Sequence, residues 1–181
     1  MKRKKEYVLE FEGLKSGLHQ FDFELDKSFF ENIESAEQTH LSEDLVSPVF
    51  KINVEMQKES QMLILTMKFN GSAQFDCDLC TSAIQLPIDF SNRVIVKFGD
   101  GSYDETDEII LLPEGEHEID LSHLFYELVM LNLPSRRVCK NEGKSAECNI
   151  EILNKLEKIR TKEEEKEIDP RWEILKKINE N

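Results

Sequence analysis

Cysteine is the residue type in this 181-residue chain whose spacing points most directly to chemistry. Cys77 and Cys80 form C-D-L-C, a knuckle whose two thiolates lie close enough to ligate one metal ion. Cys139 and Cys148 form a second pair spaced C-x8-C, wider than the roughly two to four intervening residues usual in zinc ribbons. Four thiolates from remote parts of the chain would complete the tetrahedron that Zn2+ prefers. They would leave no position for a substrate, so the ion would be structural. Two other accounts stand behind this one: four reduced thiols without metal, and thiol redox chemistry. A thioredoxin-like C-x-x-C opens a helix after a strand. Here apparent β segments flank the knuckle and Thr81-Ser82-Ala83 follow it, which ranks redox use last.

Nothing else in the chain forms a catalytic constellation. The histidines are scattered at His19, His40, His117 and His123. His123 sits beside apolar positions and reads as a packed or surface residue. His117, between Glu116 and Glu118, reads as a solvated strand edge. There is no HExxH, Walker loop, GxGxxG or serine–histidine–carboxylate set, so no enzymatic activity is expected.

The net charge of −14 argues at first sight against nucleic acid. Its distribution qualifies that. Lys2, Arg3, Lys4 and Lys5 make a basic arm, and Arg136, Arg137, Lys140 and Lys144 cluster around the second cysteine pair, where they could meet phosphates. On charge alone, a solvated arm and loop without a specific ligand is the better reading. The acidic body also suits a basic protein partner, and ribosomal proteins are such partners. No apolar run approaches the roughly 20 residues of a membrane span. The positive start is followed by Glu6 and an alternating stretch instead of the apolar core of a signal peptide, so a cytoplasmic protein is expected. In a reducing compartment, cysteines are ligands or free thiols more often than disulfides.

The elements that must hold these residues begin with β structure. Residues 19–25 alternate apolar with polar, as do 48–56, 61–69 and 84–98. Asn70-Gly71 predicts a turn, after which 73–79 run as a strand into the knuckle. Ser28-Phe-Phe-Glu31 resembles a capping box opening a short helix or turn over 29–37. Residues 100–108 read as acidic and turn-like, with short strands at 108–112 and 116–119. Asp120 is placed to cap a main helix over about 120–132, with Leu121, Leu124, Phe125, Leu128, Val129 and Leu131 mainly on one face, until Pro134 ends it. Residues 151–168 are helix-permissive but dominated by charge. Asp169-Pro170 then opens a terminal amphipathic helix near 170–179, where Trp172, Ile174, Leu175 and Ile178 make a docking stripe for this chain's own body or a partner. The expected fold is therefore α+β: a mainly antiparallel sheet or barrel-like body with one main helix, a four-cysteine metal-type tie and a C-terminal helix. The expected division is a β-rich body over 1–149, carrying the cysteine lobe at 77–80 and 139–148, then a charged linker and helix over 150–181.

The segment Gly71-Ser-Ala-Gln-Phe-Asp-Cys-Asp-Leu-Cys80, followed by Ile84-Gln-Leu-Pro-Ile88, resembles the C-x-R-C signature of the YceD family, the large ribosomal RNA subunit accumulation proteins. The acidic stretch to Glu118-Ile-Asp-Leu121, the helix ending at Leu133-Pro134 and the following Cys139 are similar to that family's second block. Asp169-Pro-Arg-Trp-Glu-Ile-Leu-Lys176 is similar to the short helix that closes many members. The resemblance runs from about residue 45 to the carboxyl terminus. Two departures stand out: Asp78 and Leu79 occupy positions where members commonly end in arginine, and the second cysteine cluster is sparser and less glycine-rich than is typical. What the resemblance implies is a role in synthesis, processing or stability of large ribosomal RNA. The partner would be that RNA or a pre-ribosomal particle, met directly or through a basic ribosomal protein. An acidic protein–protein adaptor without RNA contact is the rival, with Trp172 and Leu175 as the docking residues.

Overall fold

The computed structural model describes residues 6–37, 42, 44–99, 109–139 and 148–164. The chain divides into two compact units: Met1–Asp76 with Ala83–Arg137, and Cys77–Ser82 with Val138–Asn181.

The first unit is built on an open sheet of five strands. In chain order the elements are β1 (Val8–Glu10), β2 (Gly17–Leu25), α1 (Lys27–Glu37), β3 (Val46–Lys58), β4 (Met62–Asp76), β5 (Ala83–Phe98), β6 (Ile109–Leu112), β7 (Glu118–Asp120) and α2 (Ser122–Leu131). The large sheet has the order β2-β3-β4-β5-β6, and β1 pairs separately with β7. The first four strands meander antiparallel, while β5 and β6 are parallel, with Ile95 opposite Ile109. This is the α+β arrangement expected from alternation. The barrel-like alternative is not what forms: among the described residues the sheet stays open, with β2 and β6 as its edges.

Period-two alternation sets which face is covered. Phe50, Ile52, Val54 and Met56 of β3 are buried, as are Leu63, Leu65, Met67 and Phe69 of β4. The residues between them face outward and are mostly polar, so a register slip of one would exchange core for surface. Aromatic rings fill the buried side: Phe69 stacks on Phe90 with centroids 4.4 Å apart, and Phe125 of α2 packs against Phe23 and Phe69.

Asn70-Gly71 does not turn the chain. It lies inside β4, which runs on to Asp76, with Asn70 opposite Lys51 and Gly71 opposite Phe50. The glycine answers a close approach instead. A Cβ there would strike the Phe50 ring and come within 2.5 Å of the Val49 carbonyl oxygen.

The caps also differ from expectation. Asp26 opens α1 in place of Ser28, its Oδ1 accepting from Phe29 N at 3.2 Å and from the Ser28 hydroxyl at 2.6 Å. Those bonds, the Ser28 hydroxyl foremost, hold its carboxyl below the ordinary carboxylate range. At α2, Asp120 accepts from the backbone N and hydroxyl of Ser122, while Leu121 occupies the cap position without a side-chain bond. Phe125, Tyr126, Leu128 and Val129 are the buried face of α2, whereas Leu131 is 81% exposed.

In the second unit, α3 (Ile150–Glu164) is a helix of 15 residues across the charge-rich stretch. Its apolar residues Ile150, Leu156 and Ile159 are exposed. No described helix is long and apolar enough to cross a membrane. The terminal helix expected near 170–179, with Trp172 and Leu175, lies outside the described residues, as do the acidic turn at 100–108 and the arm at 1–5.

Candidate metal centre

The second unit carries all four cysteines, and each is buried. Residues Cys77–Ser82 make the tight connection between β4 and β5. Cys77 N donates to Ser82 O at 2.9 Å and Thr81 N donates to Cys77 O at 2.9 Å, folding the knuckle back on itself. Thr81 closes it in the left-handed region at φ 55°, a costly place for a β-branched residue. The other two cysteines come from the chain after α2. Cys148 is followed by Asn149, which caps α3: its Oδ1 accepts from Ile152 N at 3.4 Å and its carbonyl from Leu153 N at 3.2 Å.

These local structures bring the sulfurs together. The Sγ atoms of Cys77, Cys80 and Cys139 all lie within 4.8 Å of one another, with Cys80 and Cys139 separated by 4.0 Å. The Cys148 sulfur approaches that of Cys139 at 3.1 Å. A tetrahedral zinc site with Zn–S bonds of about 2.3 Å has S···S edges of about 3.8 Å, so the spacings of Cys77, Cys80 and Cys139 are near what one ion needs, while Cys148 stands outside that mutually close set. Exposure is 0–2% for the knuckle cysteines and 7% for Cys139 and Cys148. The group is thus a buried set of soft donors, with three mutually close and the fourth attached through Cys139.

Electrostatics favour thiolate here. The Cys139 backbone N donates to the Cys77 sulfur at 3.3 Å. The Cys80 thiol is drawn from the ordinary 9.0 down to about 6, by the Ser82 hydroxyl first and then by the backbone N–H groups of Ser82 and Asn149. Such donors partly offset the negative charge that four thiolates around one divalent cation would leave. Neither Ser82 nor Asn149 stands out in the sequence. The only signal for them is their place, two residues after the knuckle and one residue after Cys148. No histidine falls in Cys77–Ser82 or Val138–Asn181, so that unit supplies no imidazole for a catalytic metal or a general base. His117 and His123 are surface residues of the first unit, paired at 3.6 Å with Glu12 and Glu127.

The basic residues fare differently. Arg137 is already engaged within the first unit. Its Nη1 lies 3.1 Å from Asp44 Oδ2, its Nε donates to Pro134 O at 3.4 Å, and its guanidinium carbon sits 4.5 Å above the Phe75 ring. Arg136 is exposed. Lys140 and Lys144 lie outside the described residues. Elsewhere in that unit a buried carboxylate carries no sequence signal: Glu34 accepts from the Tyr126 hydroxyl at 2.8 Å and from Ser42 N at 2.5 Å.

Neither a curated protein nor a solved structure matches this chain. The family model described as large ribosomal RNA subunit accumulation protein YceD matches residues 65–179, a stretch that contains both cysteine pairs. The match takes in more than half of the chain, which therefore belongs to the YceD family.

Proposed function

We propose that this YceD-family chain is a non-enzymatic, cytoplasmic factor for large-subunit ribosomal RNA, and that its cysteines hold a structural zinc ion. The observation that carries the reading is the buried cluster of cysteine sulfurs inside the segment that matches the family. Cys77, Cys80, Cys139 and Cys148 would be the ligands. The ion's contribution is a closed, substrate-free cross-link. The protein's own residues do the rest: Thr81 shapes the knuckle, Ser82 and Asn149 donate to the Cys80 sulfur, and α3 starts from the cluster.

On this reading Arg136, with Lys140 and Lys144, meets the RNA backbone, while Arg137 serves the first unit and the acidic remainder stays clear of RNA. Arg136, an exposed side chain, is the better phosphate ligand of the two arginines, because Arg137 is half-buried and serves Asp44 and Phe75. A second reading has a specific observation behind it. The exposed Ile150, Leu156 and Ile159 of α3 suit an adaptor that binds a basic ribosomal protein, for which Trp172 and Leu175 are further docking candidates.

Two experiments separate these. Loss of the protein from its cell should lower large ribosomal RNA relative to small, and normal levels would sink the assignment. Binding of purified protein to large ribosomal RNA should weaken linearly in log–log form as salt rises. Arg136→Glu should reduce that slope by about one, the amount expected for one lost phosphate contact. No affinity at low salt would discard the direct-contact reading in favour of the adaptor.

A further inference from the structure

The four sulfurs are not equivalent. Cys80 and Cys139 stand 4.0 Å apart, near the edge length of a tetrahedral thiolate site, but Cys139 and Cys148 stand only 3.1 Å apart. That is closer than metal ligation needs and about 1 Å from a disulfide bond length. The same two residues are the more accessible members of the cluster, 7% exposed against 2% and 0% for Cys77 and Cys80. Proximity and access therefore select one pair.

We infer that Cys139 and Cys148 form an oxidation site, converted by a hydroperoxide into a disulfide that breaks up the cysteine cluster. One of the two sulfurs, as thiolate, attacks a peroxide oxygen. The O–O bond breaks, leaving a sulfenic acid and releasing hydroxide or alkoxide. The second thiolate then attacks the sulfenic sulfur. The S–S bond forms, the S–O bond breaks, and the departing hydroxide takes up a proton to become water. Two thiols and one hydroperoxide give one disulfide, one water and one water or alcohol, and the two electrons lost by sulfur reduce the peroxide. Sulfurs joined in this way no longer offer two thiolates to a cation, so the step removes half of a four-thiolate ligand set. The inference stands on the sulfur geometry and holds for the metal-free protein, independently of the zinc reading.

The test uses the full chain, metal-free and fully reduced, treated with one equivalent of hydrogen peroxide, alkylated and mapped by mass spectrometry of its peptides. The expected first product is the cross-link between Cys139 and Cys148, reversed by dithiothreitol, with Cys77 and Cys80 recovered as alkylated thiols. A Cys77–Cys80 link forming first, a link between the two pairs, or all four thiols surviving would overturn the inference. Cys80→Ser, which keeps the reacting pair, should still form the link, and failure to do so in folded variant would also count against it. In zinc-loaded protein, a chromogenic chelator should report one zinc released per disulfide. Zinc retained by protein carrying that disulfide would contradict the loss of ligands. Absence of zinc from the starting protein would count against the metal reading alone, because the peptide map decides the pairing in either case.

Discussion

Arg137→Ala separates a structural arginine from an RNA-binding one. The guanidinium lies 4.5 Å above Phe75, a ring with no exposure, and its Nη1 reaches Asp44 at 3.1 Å. A partly desolvated cation–π contact contributes about 0.5–2 kcal/mol. The ion pair adds at most about 1 kcal/mol, because the Asp44 side chain is 77% exposed and screened by water. The substitution should therefore destabilise the first unit by about 0.5–3 kcal/mol, lowering its melting temperature by about 2–10 °C. Arg136→Ala, at an exposed position, should stay within about 1 kcal/mol of the parent. Thermal unfolding of both variants by circular dichroism, beside RNA binding at one fixed salt concentration, gives the comparison. The expected pattern is crossed, with Arg137→Ala costing stability and Arg136→Ala costing affinity. An Arg137→Ala protein that melts like the parent yet loses RNA binding would refute the assignment of its guanidinium to Phe75 and Asp44.

Tyr126→Phe removes a hydroxyl that donates at 2.8 Å to the buried Glu34 carboxylate, leaving that oxygen the Ser42 N–H. A bond to a charged partner at such a site is worth about 1.5–3 kcal/mol, and chemical denaturation showing no loss would mean Glu34 is satisfied otherwise. The depressed Cys80 thiol predicts a pH dependence in metal-free protein. Because its folded value of about 6 lies below the ordinary 9.0, the linked stability is complete above about pH 9, declines as pH falls through that window, and is gone below about 6. The stability difference between the parent and Cys80→Ala should follow that course. A difference independent of pH would exclude Ser82 and Asn149 as stabilisers of the thiolate.

Much of the sheet is legible in the sequence because alternation is a local property. The alternation at residues 19–25, 48–56 and 84–98 falls inside β2, β3 and β5, which extend it by one to four residues. What local pattern does not encode is partnership. The pairing of Leu9 with Ile119 spans most of the chain, and the parallel docking of β6 on β5 has no sequence signal in Ile109–Leu112. Asn70-Gly71 misleads for a related reason. The dipeptide is a strong turn signal in isolation, but here the glycine is required by Phe50, a contact visible only once β3 and β4 are paired. At the cysteines the spacing of Cys77 and Cys80 is sufficient to suggest a shared ligand. The arrival of Cys139 within reach of both is a tertiary event that spacing alone does not dictate. The donors to the Cys80 sulfur and the Arg137–Phe75 contact are likewise beyond reach, since serine, asparagine and arginine in loops are ordinary until their neighbours are known.

Native mass spectrometry with elemental analysis decides whether the four cysteines share one ion. Protein prepared without chelator should carry one zinc per chain, and Cys148→Ser should lose it or hold it far more weakly. Parent protein that is folded, metal-free and unable to take up added zinc would contradict the account.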